Sequence, residues 1–422
     1  MLDIKLLREQ PDLVKDGIRK KGEDPSLVDA VLQLDEHRRA LIQKTESLKG
    51  RKNQVSTQVA RMKANKEDAS AIIAEMRQVS DEIKSIDEEL KGIEEKQRGV
   101  LLTIPNVPHA SVPLGKSPAD NQVIATWGEP PVIDFPPKPH WELMEKLGII
   151  DFPRGTKITG AGFPVFVGKG ARLERALINF FLDEAADKGY TELLPPLVVN
   201  ADSATGTGQL PDKEDQMYVV QRDDFYLVPT AEVPVSNFHR DEILPESALP
   251  VRFCAFTPCF RREAGSYGKD VRGLNRVHQF DKVELVKLVH PDRSYEELEL
   301  LKEDAEALLR KLALPYHVLL MCSADLGFTQ SKKYDLEVWS LGQQKWLEVS
   351  SVSNFESFQA RRMNIRFRPT AGGKPEIVHT LNGSALALPR IMAALIEHYQ
   401  TPEGKVIVPK VLHAYTGFEV IG

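Results

Sequence analysis

The chain has 422 residues, of which 42% are hydrophobic and 27% charged, with a formal net charge of -6. This length allows a sizeable core in two or more units, and the negative charge excludes a globally basic nucleic-acid binder, so any contact with RNA must come from local basic patches. Three scattered cysteines, Cys254, Cys259 and Cys322, exclude a disulfide framework and a four-ligand zinc site, so we expect buried thiols and no structural zinc.

The N-terminus does not resemble a targeting segment. Its first 22 residues carry acids and an amphipathic pattern, and no run in the chain approaches the apolar length of a membrane span. We therefore expect a cytoplasmic protein that does not contact a membrane.

Two heptad arrays follow, at residues 27–62 and 72–100, with apolar side chains on alternating steps of three and four. Because only the short polar segment 64–68 separates them, two long helices must pack antiparallel as a hairpin. We expect this hairpin to form an arm within residues 1–103.

The charges of the two arrays differ. The second array is rich in acids, whereas the first carries a basic set: Arg38, Arg39, Lys44, Lys49, Arg51, Lys52, Arg61 and Lys63. A coiled coil is more often a scaffold or oligomerisation element, but a basic face of this kind can also meet phosphates. From the pattern alone, both roles remain open.

Residues 104–140 contain nine prolines, which predicts an extended linker and a domain boundary before residues 141–422. Beyond it, residues 170–189 have the apolar face of a long helix, and residues 190–194 predict an edge strand. Residues 225–235 form an apolar strand pattern interrupted by the polar Thr230-Ala231-Glu232. That interruption is either a solvent-facing turn or a site.

Residues 256–285 read as two strands joined by a long loop of glycines and charges. Arginine forks suit phosphate oxygens, the ring of Phe280 offers a face on which a purine can stack, and glutamates accept hydrogen bonds from amines. The alternative is a solvent-exposed hairpin held by ion pairs. The cations of this stretch are Arg261, Arg262, Lys269, Arg272, Arg276 and Lys282.

Two later segments carry candidate ligands. The predicted strand 345–353 places Glu348 and Ser351 close together, which suits a hard divalent cation, although a half-exposed strand is the alternative. Residues 381–399 predict a turn followed by an apolar helix, with Arg390 at the start of the helix. A cation there opposes the helix dipole, so an anionic ligand is the expected reason for it.

The order of residues in 260–284, FRREAGSYGKDVRGLNRVHQFDKVE, resembles motif 2 of class II aminoacyl-tRNA synthetases in its seryl-tRNA synthetase form. Lys188-Gly189-Tyr190 with Pro196 resembles motif 1, residues 381–399 resemble motif 3, and the resemblance extends over essentially the whole chain. It implies an α+β fold, with an N-terminal antiparallel two-helix coiled-coil arm and a catalytic domain built on a mostly antiparallel β-sheet flanked by helices. Motif 1 implies a homodimer.

The resemblance also implies a reaction, in which L-serine is attached to tRNA(Ser) with ATP and Mg²⁺ through a seryl-adenylate; tRNA(Sec) is open as a second tRNA substrate. It assigns serine binding to Thr230, Ala231, Glu232, Arg261, Glu284, Asn382 and Ser384. It assigns ATP binding to Arg261, Arg262, Glu263, Arg276, Phe280, Glu348, Val349, Ser350, Ser351 and Arg390. Catalysis falls to Arg261, Arg390 and Glu348, and the metal to Glu348 and Ser351. Contacts with tRNA fall to Arg38, Arg39, Lys44, Lys49, Arg51, Lys52 and Lys269.

Two rival functions remain. A related enzyme that loads an amino acid onto a carrier protein would not need the heptad arm. A non-catalytic coiled-coil scaffold or RNA-binding protein with a decayed synthetase body would not need Arg261, Glu263, Phe280, Glu284 and Arg390 together.

Overall fold

The computed structural model describes residues 1–263 and 272–422, and the chain divides into two compact units. The first comprises Met1–Arg19 and Glu23–Pro105, and the second comprises Lys20–Gly22 and Asn106–Gly422. None of the helices in the part of the chain that the structure describes is both long and apolar enough to cross a membrane.

The first unit is a helical hairpin preceded by two short helices, and its elements are α1 (Ile4–Glu9), α2 (Pro11–Lys20), α3 (Ser26–Ala64) and α4 (Ser70–Leu102). Leu41 of α3 packs with Ile86 and Ile93 of α4, as the heptad pattern predicts. Ion pairs cross the hairpin from Lys44 to Glu82 and from Arg51 to Glu75. Because the partner number falls as the α3 number rises, the two helices are antiparallel, which confirms the predicted coiled-coil arm.

The second unit is built on an eight-stranded sheet of order β1-β11-β12-β13-β16-β10-β9-β4. All neighbouring strands pair antiparallel except the edge pair β4 and β9, which is parallel. The strands of this sheet are β1 (Gln122–Trp127), β4 (Thr191–Leu193), β9 (Val251–Phe260), β10 (Gln279–Val289), β11 (Tyr316–Leu320), β12 (Lys332–Ser340), β13 (Lys345–Asn354) and β16 (His379–Ala387). The prediction of a mostly antiparallel sheet is confirmed.

Shorter strands form small sheets around it: β2 (Ile150–Asp151), β3 (Val165–Phe166), β5 (Val198–Asn200), β6 (Val219–Val220), β7 (Phe225–Leu227), β8 (Ile243–Pro245), β14 (Arg366–Arg368), β15 (Glu376–Ile377), β17 (Val406–Ile407) and β18 (Val420–Ile421). The helices of this unit are α5 (His140–Lys146), α6 (Phe152–Ile158), α7 (Lys169–Asp187), α8 (Ala201–Thr207), α9 (Glu232–Ser236), α10 (Ser294–Lys311), α11 (Ser357–Met363), α12 (Leu388–His398) and α13 (His413–Thr416).

The main core lies on one face of the large sheet. Apolar side chains of α7, α10 and α12 meet there, and β10 contributes Val283 and Leu285. A smaller apolar cluster on the other face joins Ala231 and Val235 to Phe253 and Val286. The side chains of β10 therefore alternate between the two faces, as the period of two in a strand requires.

Three local expectations differ from the structure. Residues 381–387, expected as a turn, belong to β16, because the segment is held between β13 and β10 in the middle of the sheet. The second half of 225–235, expected as strand, forms the short helix α9 after the break at Pro229-Thr230. The proline-rich segment contributes the edge strand β1 in addition to its extended course.

Candidate active site

A cavity of about 510 Å³ opens on the face of the large sheet opposite the main core. Six basic and four acidic side chains line it among the described residues: Lys213, Arg261, Arg276, Lys282, Lys333 and Arg390, with Glu232, Glu263, Glu284 and Glu348. The excess of positive charge favours a polyanionic ligand. The acids provide places for a cationic group of the same ligand or of a second one.

The strand β10 supplies the floor of the cavity. Because side chains alternate along a strand, Phe280, Lys282 and Glu284 share the cavity face while Val283 and Leu285 enter the core. Pairing with β16 sets Glu284 opposite Ser384, whose hydroxyl lies 3.4 Å from the Glu284 carboxylate. The register of the sheet thus determines which polar groups meet here.

One end of the cavity is small, buried and polar. Glu284 is almost fully buried, and its Oε2 lies 2.5 Å from Lys282 Nζ. Asn382 is also buried, and its Nδ2 has no hydrogen-bond partner among the described residues. A buried donor without a partner costs free energy, so this amide has a hydrogen bond to give to a ligand that enters the cavity.

Glu232 lies at the same end, on the first turn of α9. Its Oε1 accepts a hydrogen bond from Gln359 Nε2 at 2.7 Å, and its backbone N–H donates to Thr230 Oγ1 at 3.2 Å. Desolvation and the neighbouring Glu284 raise the pKa of Glu232, although Gln359 opposes this shift. A cationic ligand group between the two carboxylates would relieve their repulsion.

The other end of the cavity carries a flat aromatic face and two forked cations. The guanidinium of Arg261 lies 5.1 Å from the ring centre of Phe280, and its Nε donates to the Pro229 carbonyl at 3.2 Å. Arg276 donates to Glu263 Oε2 at 3.2 Å. The predicted phosphate and purine contacts are therefore brought to one region.

A β-bulge places two further oxygens in the cavity. The pairing of β12 with β13 matches Asp335 with Ser351 but Glu337 with Glu348, so β13 carries one residue more than its partner strand here. In a regular strand, residues three apart point to opposite faces, and the bulge brings Glu348 and Ser351 to the same side. Both line the cavity.

Arg390, from the first turn of α12, approaches this pair. Its Nη1 donates to the Glu348 carbonyl at 2.6 Å and lies 3.7 Å from the carboxylate. Desolvation alone would raise the pKa of Glu348, but the positive charges of Arg390, Lys333 and Arg261 lower it. The Glu348 carboxylate is therefore ionised at neutral pH and can bind a cation through its oxygens.

Most of the residues predicted for serine and ATP line this cavity, and two do not. Ala231 is fully buried in the apolar cluster with Phe253 and Val286 and does not line the cavity. Arg262 is exposed and does not line the cavity, and its backbone N–H donates to the Gln216 carbonyl at 2.9 Å. Lys269, predicted to contact tRNA, lies outside the described residues.

The basic residues predicted on the arm are mostly engaged with acids. Arg39 pairs with Asp35 of its own helix, and four cations pair with α4: Arg38 with Glu94, Lys44 with Glu82, Lys49 with Asp87, and Arg51 with Glu75. Within residues 1–263 and 272–422, no ion pair involves Lys52, which is exposed. The charge asymmetry of the two arrays thus serves largely to pair the helices.

The sequence analysis assigned no binding role to three lysines of the cavity, namely Lys213, Lys282 and Lys333, although it named Lys282 among the cations of residues 256–285. Lys282 had a signal, because it lies between Phe280 and Glu284 at the strand period of two. Lys213 lies outside the helices and strands, and the position of Lys333 depends on the pairing of β12 with β13. The sequence alone therefore did not indicate that either lysine lines the cavity.

The chain matches two family models. Residues 1–108 match the seryl-tRNA synthetase N-terminal domain, and residues 218–399 match the tRNA synthetase class II core domain (G, H, P, S and T). The second match contains β9, β10, β13 and β16, which build the cavity.

Curated proteins and a solved structure are similar over the full length. Serine--tRNA ligase from Salinibacter ruber is 56% identical over 425 residues, covering 100% of this chain and 99% of that protein. Serine--tRNA ligase from Bacillus subtilis is 56% identical over 418 residues, covering 99% and 98%. The structure of seryl-tRNA synthetase from Pyrococcus horikoshii complexed with ATP superposes with a TM-score of 0.95 at 38% identity, covering 100% and 99%.

Proposed function

The chain belongs to the seryl-tRNA synthetase family, and from this premise we propose that its cavity binds L-serine and ATP side by side, forms seryl-adenylate and transfers serine to tRNA(Ser). One observation carries the proposal. A single cavity joins a small buried polar end, around Glu284 and Asn382, to an end with Phe280 and forked arginines. These two ends suit an amino acid and a nucleotide.

The first step needs positioning more than proton transfer. The serine carboxylate attacks the α-phosphorus of ATP, a carboxyl–phosphate bond forms, and pyrophosphate leaves with the electron pair of the broken P–O bond. We assign Arg261 to the α-phosphate and the carboxylate, and Arg276 and Arg390 to the outer phosphates. Phe280 and Glu263 hold the adenine. In this arrangement, cations neutralise the charge that develops as pyrophosphate departs.

Serine selection is assigned to the buried end. Glu232 and Glu284 face the substrate ammonium and hydroxyl groups, and Thr230, Asn382 and Ser384 complete the hydrogen bonds. A pocket that hydrogen-bonds the substrate hydroxyl rejects alanine strongly, because its own polar groups would remain unpaired, whereas threonine must be excluded by its size.

We expect Glu284→Ala to lower kcat/KM for serine in ATP–pyrophosphate exchange by about 100-fold, because the substrate loses a hydrogen bond to a buried charge. KM for ATP should stay near the wild-type value. The assay uses serine, threonine, alanine, cysteine and glycine without tRNA, and the exposed Glu296→Ala serves as the matched control. Wild-type exchange in Glu284→Ala would refute the serine pocket, and no exchange with serine in the wild type would refute the function.

Glu348 and Ser351 fit a magnesium ion. The bulge aligns an ionised carboxylate with a hydroxyl, and magnesium commonly takes one or two protein oxygens together with substrate phosphates. No group of three or more histidine, cysteine, aspartate or glutamate side chains that could hold a metal occurs in the part of the chain that the structure describes, so the phosphates and water would complete the shell. When bound, the ion neutralises phosphate charge.

Pyrophosphate exchange is expected to stop with EDTA and to return with Mg²⁺. Glu348→Ala should require a higher Mg²⁺ concentration for half-maximal exchange, because one of the two protein oxygens is gone. Glu337→Ala is the matched control, since Glu337 pairs opposite Glu348 in the sheet but bonds His317 at 2.5 Å. An unchanged Mg²⁺ requirement in Glu348→Ala would contradict this metal site.

For tRNA, we assign contacts to the basic residues of α3 and to Lys269, and we test Lys52 because it is exposed and forms no ion pair among the described residues. Lys52→Ala should raise KM for tRNA(Ser) and reduce the slope of log Kd against log salt by about 1, as the loss of one phosphate contact does. Lys44→Ala should have a smaller effect, because Lys44 already pairs with Glu82 at 2.7 Å. Equal salt slopes in Lys52→Ala and the wild type would remove Lys52 from the interface.

The protein is proposed to be a homodimer. The strand β4 lies at the end of the large sheet, where no strand of the described residues pairs with its outer edge, and Leu194, which follows it, is 87% exposed. An open strand edge beside exposed apolar side chains favours association between copies. Three further apolar side chains are exposed: Leu197 lies three residues after Leu194, and Val198 and Phe225 belong to β5 and β7 of one small sheet.

Sedimentation equilibrium should therefore give the mass of a dimer for the wild type. Leu194→Lys should shift the population toward monomer, because it places a charge where the second copy packs. Leu114→Lys, at another strongly exposed leucine, should leave the dimer intact. A monomeric wild type would refute the proposal.

Three expectations from the sequence stay predictions. They are the division into an arm at 1–103, a linker at 104–140 and a catalytic domain at 141–422, the use of tRNA(Sec), and the cytoplasmic location.

A further inference from the structure

A buried histidine connects the segment that precedes Arg276 to the helix α12, which is far from it in sequence. His140 is fully buried, and its Nε2 accepts the backbone N–H of Leu274 at 3.0 Å. Its Nδ1 lies 2.8 Å from Glu397 Oε1 on α12. Because the Leu274 N–H can only donate, Nε2 is the unprotonated nitrogen, so Nδ1 carries the proton and donates to Glu397.

Glu397 is a fixed anchor. Its Oε1 also accepts the His140 backbone N–H at 3.0 Å, and its Oε2 accepts from Ser340 Oγ at 2.7 Å and from the Gly342 N–H at 3.0 Å. Desolvation opposes ionisation, but these hydrogen bonds, with His140 the strongest, lower the pKa of Glu397. A charged carboxylate with four donors holds its position firmly.

A second connection runs parallel to the first. Asn275 and Gln343 exchange two amide hydrogen bonds, at 3.0 and 3.1 Å. The backbone N–H of Gln343 donates to Ser340 Oγ at 3.2 Å, and the Ser340 hydroxyl in turn donates to the Glu397 carboxylate. The two consecutive residues Leu274 and Asn275 are therefore tied to the same carboxylate.

The contact with His140 also explains a glycine. Gly273 has φ of +68°, and a β-carbon there would lie 2.2 Å from His140 Nε2. Only glycine lets the backbone reach the histidine this closely and adopt this conformation. The segment 273–275 is thus shaped to meet the ring.

We propose that His140 is a positioning residue for ATP, which acts by fixing the segment that presents Arg276 beside Glu263 in the cavity. This rests on the proposed function, in which Arg276 binds the outer phosphates. Residues 272–278, which include Arg276, lie in no helix or strand, and an anchored backbone reduces the conformational freedom that binding must otherwise remove. His140 itself does not line the cavity, so its effect passes through Leu274 and Asn275.

Two substitutions of His140 separate this role from simple core packing. Asparagine can keep the donor to Glu397 but places no acceptor at Leu274. Glutamine can place its amide oxygen at the Nε2 position and accept the Leu274 N–H, while Glu397 loses one donor. If the only role of His140 is to donate a hydrogen bond to the buried Glu397, His140→Gln should impair the enzyme more than His140→Asn does. If His140 anchors Leu274, His140→Asn should impair it more.

We expect His140→Asn to raise KM for ATP in serine-dependent pyrophosphate exchange about five-fold, the effect of one lost hydrogen bond, with KM for serine unchanged. His140→Gln should restore a KM for ATP close to that of the wild type. A wild-type KM for ATP in His140→Asn, or equal increases in both variants, would overturn the proposal.

A third variant keeps the test decisive if a His140 variant does not fold. Gln343 is half-buried outside the cavity lining, and Gln343→Ala removes only the second connection. It should also raise KM for ATP without changing KM for serine, and an unchanged KM for ATP would overturn the proposal. Failure of the proposed function is distinguishable, because it appears as absent exchange in the wild type.

Discussion

The alternation of side chains along β10 is the constraint on which the site depends. Val283 and Leu285 are buried in the main core, so Phe280, Lys282 and Glu284 must face the cavity. A slip of one residue against β9 or β16 would bury a lysine and a glutamate among apolar side chains, which costs several kcal/mol per unpaired charge. The packing of the core thereby sets the geometry of the site before any ligand is present.

The same principle of paired charge governs the cavity itself. Lys282 pairs with Glu284, Arg276 with Glu263, and Lys333 lies 3.1 Å from Asp335. The pairs compensate the charges of the buried Lys282 and the half-buried Lys333, and the pair with Glu263 holds the exposed Arg276 in position. A polyanion that enters meets cations already in place, and electrostatic stabilisation of this preorganised kind requires little rearrangement during the reaction.

The sequence predicted what depends on local patterns and motif order. The heptad arrays predicted the helical hairpin. The motif resemblance identified residues that lie far apart in sequence and that the fold brings into one cavity. The sequence did not predict the strand β16. Its small and mixed residues form a strand because β10 and β13 pair with it on both sides, so tertiary context outweighs the intrinsic strand propensity. Nor did it predict the bulge that aligns Glu348 with Ser351, since an extra residue in one strand is defined only by its partner strand.

The arm shows most clearly why counting charges misjudges an interface. Its basic helix indicates phosphate binding, but carboxylates of α4 pair with several of those cations at 2.7 to 3.4 Å. A cation that must leave an acid to meet a phosphate contributes less net free energy than one that is free. Three of the basic residues predicted on α3 form no ion pair with a carboxylate among the described residues, namely Lys52, Arg61 and Lys63. All three lie in the second half of α3. On a chain of net charge -6, this half of the helix is therefore where attraction for a phosphate backbone should concentrate.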